Sequence, residues 1–393
     1  MRKRLEFYES ALLNPLALLL AGLGLAGLVV AATAASRASL GASPVGGAST
    51  ASPVEDPPPL KLVQTIRLTN IVASQPEVPA EQLAKEVQST RMVNVANHFD
   101  HFEVDLKRHR LFVTPEDNKT VEVYDLQTGK LVHSIGGIGM AHGVLYRPDI
   151  DEVFVTDGTV GSLKIFTGDE YKLIKETKLM VDADSIGYDT KTHYLYIDNG
   201  GKDAALDYCL VSIVNTDTGE RLGDIKVDSN RVEAMKLEIG GPRIFLNATE
   251  KNEVAVIDRE KRAVVARWPV TGGTVNVSVA LDEVHHRLFI ACRDGKLLVM
   301  DSDTGKVLQI LPIATGVDDI VYDPASKRIY VACGEGFVNV YAQTDGDHYK
   351  AIGKIATGPL GKTGKLVPEL NRYFVAVPPH GKISAEVLVF AVQ

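Results

Sequence analysis

Carboxylate and imidazole side chains recur at equivalent points of this 393-residue chain, in a pattern that would suit a cation or a polar ligand. Asp100, His142, Asp184, Glu233 and Asp318 each stand five residues before a recognisable strand end, at Asp105, Arg147, Asp189, Glu238 and Asp323. Val277, with Asn276 beside it, and Thr363 hold the same place in two further copies. The next residue along reads His101, Gly143, Ser185, Ala234, Ser278, Asp319 and Gly364. Four carboxylates crowded into one layer raise one another's pKa unless a counter-charge compensates. A divalent cation would do so, and it is the one cofactor the layer suggests. Oxygen ligands alone would suit calcium or magnesium, whereas a set of His101, His142, Asp184, Glu233 and Asp318 would suit zinc, manganese or iron. The competing reading is that these side chains are solvated in a water-filled channel, or cap backbone groups as Asp and Ser do in turns. Strand alternation predicts that His98 and Asp100 share one face and that His101 points to the other. Lys362 and Lys365 are the only basic groups expected nearby, placed to pair with the acids or to meet an anionic ligand.

The elements that must position this layer are repeats. A short β-branched or aromatic segment recurs seven times, from Arg110 (RLFVT), Glu152, Tyr194, Arg243, Arg287, Arg328 and Arg372, at intervals of 41 to 49 residues. Each is bounded by polar turns and reads as a buried strand. A second strand follows each one, as in EVAVID from Glu253, and then a turn such as Asp301-Ser302-Asp303-Thr304-Gly305, whose glycine supplies a positive φ. A third strand follows only six of the seven. The missing copy lies at the other end of the chain, where Lys61–Ile66 (KLVQTI) matches Lys130–Ile135 (KLVHSI). With an inner strand before each repeated segment, the pattern predicts an all-β, seven-bladed β-propeller of four-stranded antiparallel blades. The N-terminal outer strand would close the ring and remove two sheet edges. The propeller is expected over residues 60–393, with an inserted segment at 69–95.

The R-[LI]-[FY]-V-A-like strand, the period and the D-x-x-T-G-[KE] turn together resemble the bacterial YVTN-repeat, or YncE-like, propellers. That resemblance implies a binding or scaffold role rather than a defined activity. Some relatives bind DNA, but a net charge of −8 argues against neutralising phosphates, so a nucleic-acid partner is not expected. No tryptophan recurs as it does in quinone-dependent propellers, since Trp268 stands alone.

Three features bound the rest. The first is the N-terminus, where Arg2, Lys3 and Arg4 precede an apolar run from Leu16 to Ala35. Residues 1–35 therefore read as a cleaved signal peptide or a retained membrane anchor, and 36–59 as an Ala/Ser/Pro-rich linker. Either leader sends the body out of the cytoplasm, to a periplasmic or secreted location, with the membrane touched only by that segment. The second is the cysteine count: Cys209, Cys292 and Cys333 are too few for a disulfide framework, and Cys292 and Cys333 read as small core residues. The third is the loop from Asn199 to Asp207, the longest of its kind and a candidate partial cover for the channel. No nucleophile elbow, phosphate loop or metalloprotease motif occurs. The expectation is a monomeric binding or scaffold protein whose channel-mouth face, comprising Asp100, His101, His142, Asp184, Glu233, Asn276, Asp318, Asp319 and Lys362, meets a small ligand, a cation or a protein. The alternative is a metal-dependent hydrolase or lactonase seated in the channel, with a metal-bound water as nucleophile.

Overall fold

A computed structural model describes residues 57–71, 98–380 and 382–393. The leader, nearly all of the linker and most of the 69–95 insertion lie outside the described residues.

Twenty-eight strands, numbered β1 to β28 in chain order, build seven antiparallel sheets of four. The first blade runs outward as β2 (Phe99–Asp105), β3 (Arg110–Pro115), β4 (Val121–Asp125) and β5 (Leu131–Ile135). The inner strands of the next five blades are β6 (Ala141–Arg147), β10 (Ile186–Asp189), β14 (Met235–Leu237), β18 (Asn276–Asp282) and β22 (Val317–Asp323). The seventh blade consists of β26 (Thr363–Val367), β27 (Arg372–Val377), β28 (Glu386–Val392) and β1 (Leu60–Arg67). β1 pairs antiparallel with β28 from Leu60 opposite Val392 to Arg67 opposite Glu386, as the displaced outer strand requires.

The middle strands are apolar on both faces because blades stack face to face. Leu111, Phe112 and Val113 are consecutive and all fully buried. The outer strands are half-wet, so β5 leaves Leu131 and Val132 exposed. Blades lock through shared clusters. Tyr330 and Tyr373 stack with ring centroids 5.2 Å apart between the sixth and seventh blades, and Leu60 joins that cluster. Ile66 and Leu68 pack on the other side, with Leu111 and Phe374, so the closing strand is held from both sides.

The turns follow their sequence. Asp125 Oδ1 accepts the backbone N–H groups of Gln127 (3.1 Å) and Thr128 (2.8 Å), and Asp301 repeats this with Asp303 (3.1 Å) and Thr304 (2.8 Å). The glycine that ends the second turn has a further reason. At Gly305 φ is +73°, and a Cβ there would lie 2.2 Å from Cγ of Trp268 on the neighbouring blade. Cys209, Cys292 and Cys333 are free and buried, and all three pack in the hydrophobic clusters.

The inner strands carry the feature that shapes the site. Between Phe99 and Phe102, β2 spends three residues where β3 spends two, so a bulge sits at Asp100-His101. The same extra residue recurs in β6, β18 and β22, at His142-Gly143, Val277 and Asp318. Thr114 Oγ1 holds the first of these, accepting His101 N–H at 2.8 Å and donating to His101 O at 3.1 Å. Thr156 does the same for Gly143.

Candidate functional site

The starts of the inner strands meet at one mouth of the central channel. There Asp100, His101, Asp184, Glu233, Asp318, Asp319 and Lys362 line a small cavity of about 30 Å³, together with Glu116 and Arg293. The bulge overturns the alternation expected for His98, Asp100 and His101. An extra residue at that point turns Asp100 and His101 to the same space, and His101 Nε2 lies 3.6 Å from Asp100 Oδ1.

His142 joins the cluster from behind. Its Nδ1 is 2.6 Å from Asp100 Oδ2 and 3.8 Å from Asp184 Oδ1. A Cβ on Gly158 would sit 2.6 Å from His142 Nε2, so glycine is what leaves room for the ring. Burial disfavours the imidazolium, but Asp184 and Asp100 outweigh it and raise the His142 pKa well above its ordinary value. The Asp100 carboxyl moves the other way: burial opposes its charge, and His101 and His142 overcome that and hold it ionised. Asp184 is left as the acid of the pair that burial, and then the Asp100 charge, push far up.

Across the mouth, Asp318 holds two cations. Arg293 Nη2 donates to its Oδ1 at 2.6 Å, and Lys362 Nζ donates to Oδ2. Burial works against the Asp318 charge, yet Lys362 and Arg293 bring its pKa down to about 2. Arg231 pairs with Glu233 at 2.7 Å. The mouth is therefore a network of both signs, not the acidic ring with two lysines that the sequence suggests. Lys365 lies deeper in the channel, 3.2 Å from Glu103, and does not line the mouth.

Other expected residues take supporting places. Asn276 is fully buried and donates to Asn247 Oδ1 (2.7 Å) and Glu253 O (2.9 Å), holding blades together rather than lining the mouth. Thr363 donates to Phe99 O at 2.6 Å, tying the seventh blade to the first. The 199–207 loop forms a short 3-10 turn at Gly201–Ala204 and contributes nothing to the cavity wall.

Sequence reasoning missed Glu116, Arg293 and Arg231. Glu116 and Arg293 each stand six residues after the start of a repeated segment, where the other copies carry Gly158, Gly200, Thr249, Gly334 and Pro378. A charge at a position otherwise given to small or rigid residues was the signal available. Burial, then His142 acting against it and Asp100 with it, raise the Glu116 pKa to about 7. Asp319 also rises to about 7 through burial, against the pull of His101. His98 is buried, which, with Lys362, lowers its pKa to about 3, and its Nε2 has no hydrogen-bond partner among the described residues.

Two groups could hold an ion. The ligand atoms of Asp100, His101 and Asp184 lie within 4.8 Å of one another, as do those of Asp100, Glu116 and His142. Asp100 belongs to both. The cavity volume is close to the space one water or one small cation needs.

The architecture defines a seven-bladed β-propeller, and comparison with known proteins adds nothing finer. No protein-family model matches the chain, and no curated protein sequence matches it. Among solved structures it is similar to hydrazine synthase of Kuenenia stuttgartiensis, with a TM-score of 0.64 and 14% identity over 78% of this chain and all of that one. It is also similar to a chain of the mitotic checkpoint complex, with a TM-score of 0.65, 12% identity and 91% and 99% of the two chains covered. Another is U3-55K, with a TM-score of 0.60, 10% identity and 75% and 95% covered. At such identities the likeness is one of fold.

Proposed function

We propose that this chain is an extracytoplasmic binding or scaffold propeller of the YVTN-repeat, YncE-like kind, whose channel mouth receives a divalent cation or one cationic group of a partner. The observation that carries this reading is the size of the mouth cavity, about 30 Å³, set against its lining. Nothing larger than an ion or the tip of a side chain enters it, and the groups facing that space are mostly carboxylates. Asp100, with His101 and Asp184 or with Glu116 and His142, would hold the ion. Arg293 and Lys362 would keep Asp318 occupied and Arg231 would keep Glu233, leaving Asp100, Asp184 and Glu116 to meet the ion.

A metal-dependent hydrolase is the second reading, favoured by the mixed His/carboxylate set around Asp100. The same experiment separates the two. Elemental analysis of the purified intact chain before and after chelation, with thermal melting alongside, is expected to give one divalent ion per chain and a lower Tm once it is removed. Asp100→Asn should lose the ion. Neither metal nor a shift on chelation would refute the cation reading and turn attention to protein partners. Turnover of simple esters or lactones that vanishes with the metal would move the assignment to the hydrolase.

A further inference from the structure

Below the mouth the channel widens into a second chamber of about 350 Å³, large enough for a small organic molecule. A collar of His101, Ser185, Ala234 and Asp319 borders both spaces. Beneath it the wall is mixed, with apolar surface from Phe102, Val144, Leu145, Ile186, Met235 and Val279 beside Glu103 and Tyr188. Two ammonium groups break that surface. Lys365 is paired with Glu103 at 3.2 Å, whereas Lys236 has neither ion pair nor hydrogen bond among the described residues. Glu283, the acid whose charge acts on Lys236, already accepts the backbone N–H groups of Ile239 (2.9 Å) and Gly240 (2.5 Å). The Lys236 side chain is exposed to the chamber, and the protein atoms crowded around the channel, with Lys365 adding to them and Glu283 opposing, lower its pKa. An anion placed between the two lysines would relieve that cost. Asp319 does not compete for them, because its carboxyl accepts Gly364 N–H at 2.8 Å and is pushed towards neutrality.

The inner strands of blades three and four are the shortest of the ring, at four and three residues. Next to them a cleft of about 300 Å³ shares Ile186, Tyr188, Met235 and Lys236 with the chamber. With Lys365 paired to Glu103, the chamber carries one uncompensated ammonium, so a singly charged anion such as a carboxylate balances it and a doubly charged phosphate does not.

We propose that this lower chamber binds a small carboxylic acid with an apolar body, its carboxylate on Lys236 and Lys365 and its body against Leu145, Ile186 and Met235. The proposal does not depend on the mouth reading, since no metal takes part. The test is calorimetric titration of the intact chain with 3-phenylpropanoate, using 3-phenylpropanamide as the uncharged match. One saturable site is expected for the acid, with the amide about tenfold weaker or worse, as loss of a charge-assisted hydrogen bond implies. Lys236→Met should weaken the acid by a similar factor, and Lys236→Arg should restore most of it. Chelation should leave acid binding unchanged, which separates this site from the mouth. The proposal is overturned if the acid shows no saturable binding, if acid and amide bind equally, or if Lys236→Met binds as the parent does. The comparison of acid with amide uses the unaltered chain, so it decides the matter even if a variant fails to fold.

Discussion

Removing the Asp318 carboxylate is the sharpest single perturbation that the mouth offers. Its two oxygens are divided between Arg293 and Lys362, and all three side chains are largely buried. Asp318→Ala would leave two cations in a poorly hydrated space without the carboxylate that hydrogen-bonds them, a class of change that costs about 3–5 kcal/mol. Linkage gives an independent floor. A carboxyl held at about 2 instead of 3.8 contributes about 2 kcal/mol of stability at neutral pH. The larger figure is the better guide for a deletion, because it includes the cost to the stranded cations. For a chain as long as residues 60–393, unfolding entropy near the midpoint is about 0.7 kcal/mol/K, so the expected fall in Tm is about 4–7 °C. The sign of the pH dependence is fixed too. A depressed folded-state pKa gives stability that is present above about 4 and lost as pH falls through about 2. Differential scanning calorimetry at pH 7 and in steps down to pH 2.5 would therefore show the gap between parent and variant closing with acid. A variant that melts with the parent at pH 7, or a gap that widens on acidification, would refute the reasoning.

Two further outcomes are expected. Ile66→Ala, which empties a buried contact between the closing strand and the first blade, should cost about 2–5 kcal/mol by denaturant titration, whereas Leu62→Ala on the same strand's exposed face should cost little. Gly364→Ala would place a Cβ 2.3 Å from the Tyr373 hydroxyl, which is buried and lacks a hydrogen-bond partner among the described residues, so it should destabilise by about 1–3 kcal/mol. Tyr373→Phe should be nearly neutral alone and should recover part of that loss in the double variant, and strictly additive effects would contradict the contact.

The repeated segments from Arg110 to Arg372 and the stray Lys61–Ile66 strand made the ring and its closure legible in the sequence, because burial on both faces demands a recognisable run of β-branched and aromatic residues. The count back from strand ends also placed Asp100, Asp184, Glu233 and Asp318 at one mouth. It failed where regularity failed. A period of two cannot anticipate a bulge, so the shared direction of Asp100 and His101 was invisible. Arg293 and Glu116 reach the mouth from loops, whose course depends on neighbouring blades and not on local pattern. Lys365 looked like a mouth residue only because its distance along the channel is a matter of strand tilt and of its pairing with Glu103.

The closing strand also sets a timetable. Leu60 and Val392 are neighbours in space and lie at opposite ends of the described chain, so the last blade cannot be completed until both segments are available. A ribosome delivers them at widely separated moments, and any passage of the chain through a membrane would do the same. Until then β28 presents an unpaired edge, and Leu60, Ile66 and Leu68 have no place to be buried. The slow, long-range step of folding is thereby placed last, and the interval before it is when a newly made chain is most open to capture by chaperones or by copies of itself.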